Sequence, residues 1–338
     1  MTITLPELVT PTGVLILPAD APREEWLEAR RSGIGGSDAL GVLGLSQYSS
    51  RYSVWADKRG LLREQDDSEV MAWGRRLEPV IAEEFQQRTG IEATTCGLMR
   101  HVDRGWQLAS VDRLTADGGV LEIKTTSAYR AGDWADDQLA DAAEAQLQHY
   151  LAVTGLEHGY AAALIGGQKL EIRHVERNDR LISLMVEAQA ELWQMVTDGT
   201  PPALDGSDAT TRALAELYPH SVDQPVELPA HLVDRLREDQ DLAAQIKDLK
   251  AAREAIKNEV TGHLGQLNAG TWQGQSAVTW KNTGAFNEAA FATAHPGLAA
   301  EYTRTVEQLD TAAIKAAHPD LYAQYRSRVF RPVKKGLQ

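Results

Sequence analysis

The residues best placed to do chemistry lie on two short strand-like runs. Val120–Thr125 reads Val-Leu-Glu-Ile-Lys-Thr, so Glu122 and Lys124 stand two apart. In a strand that spacing sends both side chains to one face and turns Ile123 to the other, buried one. The run before it, Gln107–Asp112, ends on Asp112, and Asp117-Gly118-Gly119 between the runs is a hairpin signal. A tight hairpin would bring a carboxylate from each strand and one ammonium to a single spot. Phosphodiester hydrolysis needs such a set: carboxylates to hold Mg2+ or Mn2+, and a cation to position the attacking water. The same pattern also makes a cross-strand ion pair on a solvated sheet face, and the hairpin alone does not choose.

Three neighbouring segments add candidates. Trp73-Gly74-Arg75-Arg76-Leu77-Glu78-Pro79 leads into a helical run that stops at Gly90. Pro79 suits the first helical position and Gly90 the end, which would fix Glu78 at a helix start, as a metal ligand or as a simple cap. Ala145-Gln146-Leu147-Gln148-His149-Tyr150 reads as a helix on which Gln146 and Tyr150 share a face. Near the start, Trp26 and Arg30 precede Gly33-Ile34-Gly35-Gly36-Ser37-Asp38. There Ser37 would cap a helix whose exposed amides, with Arg30 alongside, suit a phosphate or merely join a loop to a helix.

The elements that position these groups follow from periodicity. Residues 1–20 are Pro/Thr-rich and read as an arm. Residues 21–205 form the core, in the coarse order helix, helix, helix, strand, strand, helix, strand, strand, helix. Gly166-Gly167 joins the last two strands, and Asn178 or Asp179 caps the last helix. Its expected apolar face is Leu181, Leu184, Met185, Ala188, Leu192 and Met195. Residues 206–338 form a mostly helical extension. It carries a long exposed or coiled-coil helix from about His231 to Leu264 and a two-strand pattern over Thr271–Thr283 broken at Gly274. Two short helices that run into His295-Pro296 and His318-Pro319 follow, then a basic strand over Tyr325–Lys335.

Composition bounds the function without choosing it. A net charge of −14 over 338 residues disfavours a protein that coats nucleic acid with a broad basic face, but not a nuclease with a local groove. One cysteine, Cys96, excludes an internal disulfide and a cysteine-held iron–sulfur cluster, and fits a reducing cytoplasm. The nine histidines show no zinc-binding spacing, there is no phosphate loop of an ATP-driven motor, and no apolar run of about 18 residues would span a membrane. No basic stretch precedes the apolar residues near the start, so no signal peptide is expected.

Glu78, Asp112, Glu122-Ile123-Lys124 and Gln146…Tyr150, in that order, resemble the PD-(D/E)xK nuclease superfamily, and within it the lambda exonuclease and YqaJ-type viral recombinase family. The resemblance runs from Arg23 to Val196. It implies an α/β (α+β) restriction-endonuclease-like core, a central mixed sheet flanked by helices. It implies one or two Mg2+ or Mn2+ ions on Glu78, Asp112, Glu122 and the Ile123 carbonyl, with Lys124 orienting the water and Gln146 assisting. It further implies a 5′-phosphate pocket of Arg30, Ser37, Ser110 and Arg130, with Trp26, Gln148 and Tyr150 as auxiliaries. The activity implied is a 5′-to-3′ exonuclease that resects duplex DNA ends to 3′ single strands for annealing recombination. A single-strand annealing protein and a ring-shaped homo-oligomer are the implied partners. The alternatives are an inactive nuclease fold serving a recombination complex, or a structure-specific endonuclease. Arg113 stands where the family often has Gly, and Thr125-Thr126 replaces Cys-Pro; neither is expected to touch a ligand. Thr279-Trp280-Lys281, Asp310-Thr311 and Arg326–Lys335 resemble the tails of larger YqaJ-type proteins.

Overall fold

The computed structural model describes residues 9–63, 68–304 and 308–326. Contacts divide the chain into Met1–Pro219 and His220–Gln338. The first unit begins with β1 (Gly13–Leu17), α1 (Arg23–Arg31), a 3-10 turn at Gly36–Asp38, α2 (Ala39–Val42), α3 (Arg51–Lys58) and α4 (Glu69–Thr89). Strands β2 (Ala93–Thr95), β3 (Leu98–His101), β4 (Leu108–Ser110), β5 (Arg113–Thr115) and β6 (Val120–Thr126) follow. A 3-10 stretch at Ala128–Trp134 leads to α5 (Asp141–Thr154), β7 (His158–Ile165), β8 (Lys169–Glu176), α6 (Asp179–Asp198) and α7 (Asp208–Leu217).

The fold is mixed α/β with a central mixed sheet, ordered β2-β5-β6-β7-β8, in which β6 and β7 are parallel and the other pairs antiparallel. A parallel neighbour requires a crossover, and α5 supplies it. Helices cover both faces of β6. Leu121 and Ile123 meet Ile81, Ala82 and Phe85 of α4, while Val120 packs with Leu147 and Leu151 of α5. Phe85 is fully buried, worth on the order of 2–3 kcal/mol. A second, antiparallel sheet, β1-β3-β4, forms beside the first.

Several expectations are corrected. Residues 13–17 are no free arm: β1 pairs with β3 from Gly13↔His101 to Leu17↔Leu98. The 107–112 run is not one strand of a simple hairpin. It bends at Asp112 and passes from β4 in one sheet to β5 in the other. Helix α4 does not start at Pro79. Its cap is Ser68, whose hydroxyl accepts from the Met71 amide, and it runs through Pro79 to Gly90, which takes the left-handed φ of 72°. Pro79 removes one helical hydrogen bond on an exposed face, and strong helix formers on both sides carry the turn past it.

Asn178 caps α6 as expected, and five of the six expected apolar residues face the core: Met185 and Leu192 are buried and Leu181, Ala188 and Met195 pack against it, while Leu184 is exposed and Ile182, Gln189 and Val196 are buried besides. Buried Gln189 belongs to a polar chain that links Gln107 to His149. The core also extends past residue 205. Helix α7 buries Ala209, Thr210 and Ala213, and Thr210 donates to the Ser50 hydroxyl at 2.7 Å.

The second unit comprises α8 (Ala230–Leu264), β9 (Ala269–Trp272), β10 (Gln275–Thr279), α9 (Glu288–Ala294), α10 (Pro296–Tyr302), α11 (Thr311–Ala317) and α12 (Pro319–Gln324). The hairpin turns on Gln273 and Gly274, both with positive φ, a type I′ geometry that glycine favours. It lies at Ala269–Thr279, a little before the expected span. Each His-Pro joins two helices instead of ending one, since Pro opens α10 and α12 at their first position. The expected basic strand lies outside the described residues except for Tyr325 and Arg326. Among the described residues no helix is long and apolar enough to cross a membrane.

Candidate active site

Strand β6 presents Glu122 and Lys124 toward α5, and the bend between β4 and β5 delivers Asp112 to the same place. The β5–β6 ladder stops at Arg113↔Leu121. The Ile123 amide therefore lacks a strand partner on that side and donates to Asp112 Oδ2 at 2.7 Å. In a strand the carbonyl of a residue points the same way as its amide, so the Ile123 carbonyl also turns to the Asp112 side. Helix α5 closes the arrangement. Lys124 Nζ bonds Glu122 Oε1 and donates to Gln146 Oε1 at 2.8 Å. Gln146 Nε2 donates to the Tyr150 hydroxyl at 2.6 Å, which donates to the Ser110 carbonyl at 2.9 Å.

These groups line one cleft of about 440 Å³. Glu78, Asp112, Glu122, Ile123 and Lys124 stand on its wall together with Gln146 and Tyr150. Trp26, Arg30, Ser37 and Ser110 line the same cleft. Arg130 does not. It is exposed and paired with Asp133 at 2.8 Å, and that carboxylate holds its guanidinium protonated more firmly still. Gln148 is also outside the site: its amide donates to the Glu176 carbonyl and accepts from the Asn178 amide, tying α5 to the start of α6.

The electrostatics are those of a site short of positive charge. Burial pushes the Asp112 carboxyl well above the usual carboxylate range, and Glu122 and Glu78 add to it against the Ile123 amide and Lys124. Glu122, only 2% exposed, is raised by burial more than Lys124 lowers it. Burial alone would depress Lys124, yet Glu122 and Asp112 outweigh it and raise its pKa. Glu122 Oε2 is enclosed with no hydrogen-bond partner among the described residues: the Tyr150 hydroxyl stands against Glu122, but its one hydrogen is given to the Ser110 carbonyl. A buried anionic oxygen left bare is costly unless a cation meets it. The donor set, carboxylates with a carbonyl, is that of a hard divalent ion.

Glu78 behaves differently from expectation. It lines the cleft from the middle of α4, but its Oε1 is bonded by Arg113, whose guanidinium also donates to the Asp112 carbonyl. Arg113 therefore does touch an expected ligand. Among the described residues, no three His, Cys, Asp or Glu side chains stand close enough to enclose an ion as placed, and Glu78 has been drawn to the guanidinium.

Two further residues escaped the sequence reading. Asp38, not Ser37, caps the glycine turn: Asp38 Oδ2 accepts from the Gly35 amide at 2.9 Å, while Ser37 is exposed. Lys58, fully enclosed at the end of α3, bonds Asp38 Oδ2 at 2.7 Å and the Arg30 carbonyl at 3.2 Å. Burial would raise the Asp38 carboxyl, but Lys58 and Arg30 outweigh it and hold it below its ordinary value. Arg30 stacks on Trp26 at 5.6 Å and faces Asp38 and Asp57 at 3.6 and 3.7 Å. An acid one place after Ser37 was a signal for the cap; nothing in spacing announces Lys58.

Residues 25–157 match the YqaJ-like viral recombinase domain, a span that holds every residue of the cleft named above. The chain is also 34% identical over 275 residues to the YqaJ protein of Bacillus subtilis (strain 168), covering 79% of this chain and 86% of that one. The chain belongs to the YqaJ-like viral recombinase family. Among solved structures, this family member is similar to an alkaline exonuclease from Laribacter hongkongensis, with 21% identity, TM-score 0.46, and coverage of 57% of this chain and 99% of that one. A phage-related exonuclease from Haemophilus somnus 129PT is similar at 11% identity and TM-score 0.37, over 49% of this chain and 96% of that one. Likenesses this distant say nothing about chemistry, which must come from the cleft.

Proposed function

We propose that this YqaJ-family protein is a metal-dependent nuclease acting from the 5′ ends of duplex DNA. The observation that carries the reading is the enclosed, partnerless Glu122 Oε2 beside Asp112 and Lys124. Asp112, Glu122 and the Ile123 carbonyl would hold Mg2+ or Mn2+, and Glu78 reaches them only by releasing Arg113. A divalent ion held there would polarise the scissile phosphate and acidify a water. Lys124 positions the nucleophile and offsets charge as it builds on the phosphate. Gln146 and Tyr150 hold the lysine in place, tied to the backbone of the strand that carries Ser110.

The other end of the cleft favours an exonuclease over an endonuclease. Arg30, Ser37 and Ser110 offer a guanidinium and two hydroxyls, donors suited to a terminal phosphate. Resection would leave a 3′ single strand for an annealing protein, and a ring of subunits around the duplex would keep an acidic protein on DNA. The test is digestion of a duplex labelled at one end, with a 5′-phosphate or a 5′-hydroxyl, with Mg2+ or EDTA. Stepwise loss from the phosphorylated 5′ strand that EDTA stops supports the reading. Internal cuts would assign an endonuclease; binding without cleavage in Mg2+ or Mn2+ would assign an assembly role.

A further inference from the structure

The Glu78 side of the cleft already holds a cation. The Arg113 guanidinium bonds Glu78 and the carbonyl of its neighbour Asp112, and its side chain is only 9% exposed. Two features set this apart from an ordinary surface pair. The guanidinium is enclosed, so withdrawing Glu78 would strand a buried charge. It is also anchored on the backbone, and the pairing Arg113↔Leu121 fixes its Cα at the end of the β5–β6 ladder. A divalent ion between Glu78 and Asp112 would therefore sit against a fixed positive charge, and repulsion at that range is many times thermal energy even in a moderately polar medium. The Asp112–Glu122 side is different. Lys124 meets Glu122 Oε1 there and leaves Oε2 bare.

We propose that Arg113 is a resident cation that takes the place of a second metal, so that the cleft accepts one divalent ion, on Asp112 and Glu122, and Glu78 serves by holding Arg113. This rests on the metal-site reading above. It makes Arg113 the residue that sets how many ions the site takes.

The test is Mn2+ binding to the full chain without DNA, by calorimetry and by the electron paramagnetic resonance of free Mn2+. Wild type binds one ion per chain. Arg113→Gly gains a second, while Arg113→Lys, which keeps a charge, does not. Should Arg113→Gly fail to fold, the charge-balanced double variant Arg113→Met with Glu78→Gln decides. It keeps one ion within about threefold of wild-type affinity, because neither residue touches that ion. Two ions in wild type, a folded Arg113→Gly that still binds only one, or a loss of about tenfold or more in the double variant overturns the role of Arg113 and leaves the metal site standing. No Mn2+ binding by folded wild type sinks both readings.

Discussion

Removing the Lys124 ammonium should weaken the protein most when no metal is present. Lys124 balances Glu122, which is 2% exposed, and Lys124→Met would leave that carboxylate with no cation in contact. Breaking an enclosed ion pair costs about 3–5 kcal/mol. Lys124 is itself 34% exposed, so solvent already screens part of the attraction. Glu122, whose pKa burial has raised, can also take up a proton. Both effects bring the expected loss to about 2–3 kcal/mol. For a unit the size of Met1–Pro219 that lowers the melting temperature by about 5–10 °C. On the proposed metal site Mg2+ should return most of it, since an ion held by the folded chain alone would stabilise it by mass action. Glu122→Gln in the same chain should also return most of it, a coupling of about 2 kcal/mol between the two positions. Scanning calorimetry of the four proteins in EDTA and in Mg2+ reads this directly. The reasoning fails if Lys124→Met melts with wild type in EDTA, or if adding Glu122→Gln leaves the deficit in place.

Other consequences are as direct. Asp112→Asn keeps an acceptor for the Ile123 amide and removes repulsion with Glu122, so it should melt at or above wild type in EDTA; Asp112→Ala should melt lower by about 1–2 kcal/mol, and neither should cut DNA. Tyr150→Phe strands Gln146 and the Ser110 carbonyl and should lower turnover about tenfold with KM for duplex unchanged; a change in KM alone would contradict a positioning role. Arg30→Ala should shrink the preference for phosphorylated over hydroxyl 5′ ends about tenfold and exposed Arg130→Ala should not, in end-labelled digestion. Burial depresses the His149 pKa in the fold, so the unfolded chain takes the proton first. Stability should therefore hold above the ordinary imidazole value of 6.5 and fall as pH drops through it, and urea unfolding should show a shallower fall in His149→Gln.

What the sequence showed and what it hid divide along physical lines. Strand alternation was enough to put Glu122 and Lys124 on one face, because a two-residue period leaves no choice. The four-residue spacing of Gln146 and Tyr150 gave a shared helical face for the same reason. Pro79 misled because a proline is as compatible with an exposed mid-helix turn as with a helix start once the residues before it have their own cap. Contacts between distant segments left no trace. Lys58 meets Asp38 across twenty residues, and Arg113 meets Glu78 across thirty-five, with no period to link them. On α6 the apolar period found most of the inward face, but hydrophobicity could not announce the buried Gln189 beside it. That residue belongs to a chain running from Arg104 through Gln107 and Gln189 to His149, which donates to the Leu108 carbonyl at 2.8 Å.

That chain explains how the cleft is kept in register. Helix α5 fastens β4 at alternate carbonyls, His149 on Leu108 and Tyr150 on Ser110, so the end of the strand is fixed on the helix that also carries Gln146. Asp112 lies just beyond, where the chain leaves one sheet for the other. A strand that continued straight would have gone on pairing with β6 and used up the Ile123 amide in the ladder. Because it bends, the amide is left over and Asp112 takes it, which draws the carboxylate against Glu122. The crowding of negative charge is thus built by the backbone, not by a chance meeting of side chains. A divalent ion held there, as proposed, would relieve a strain that the fold itself imposes.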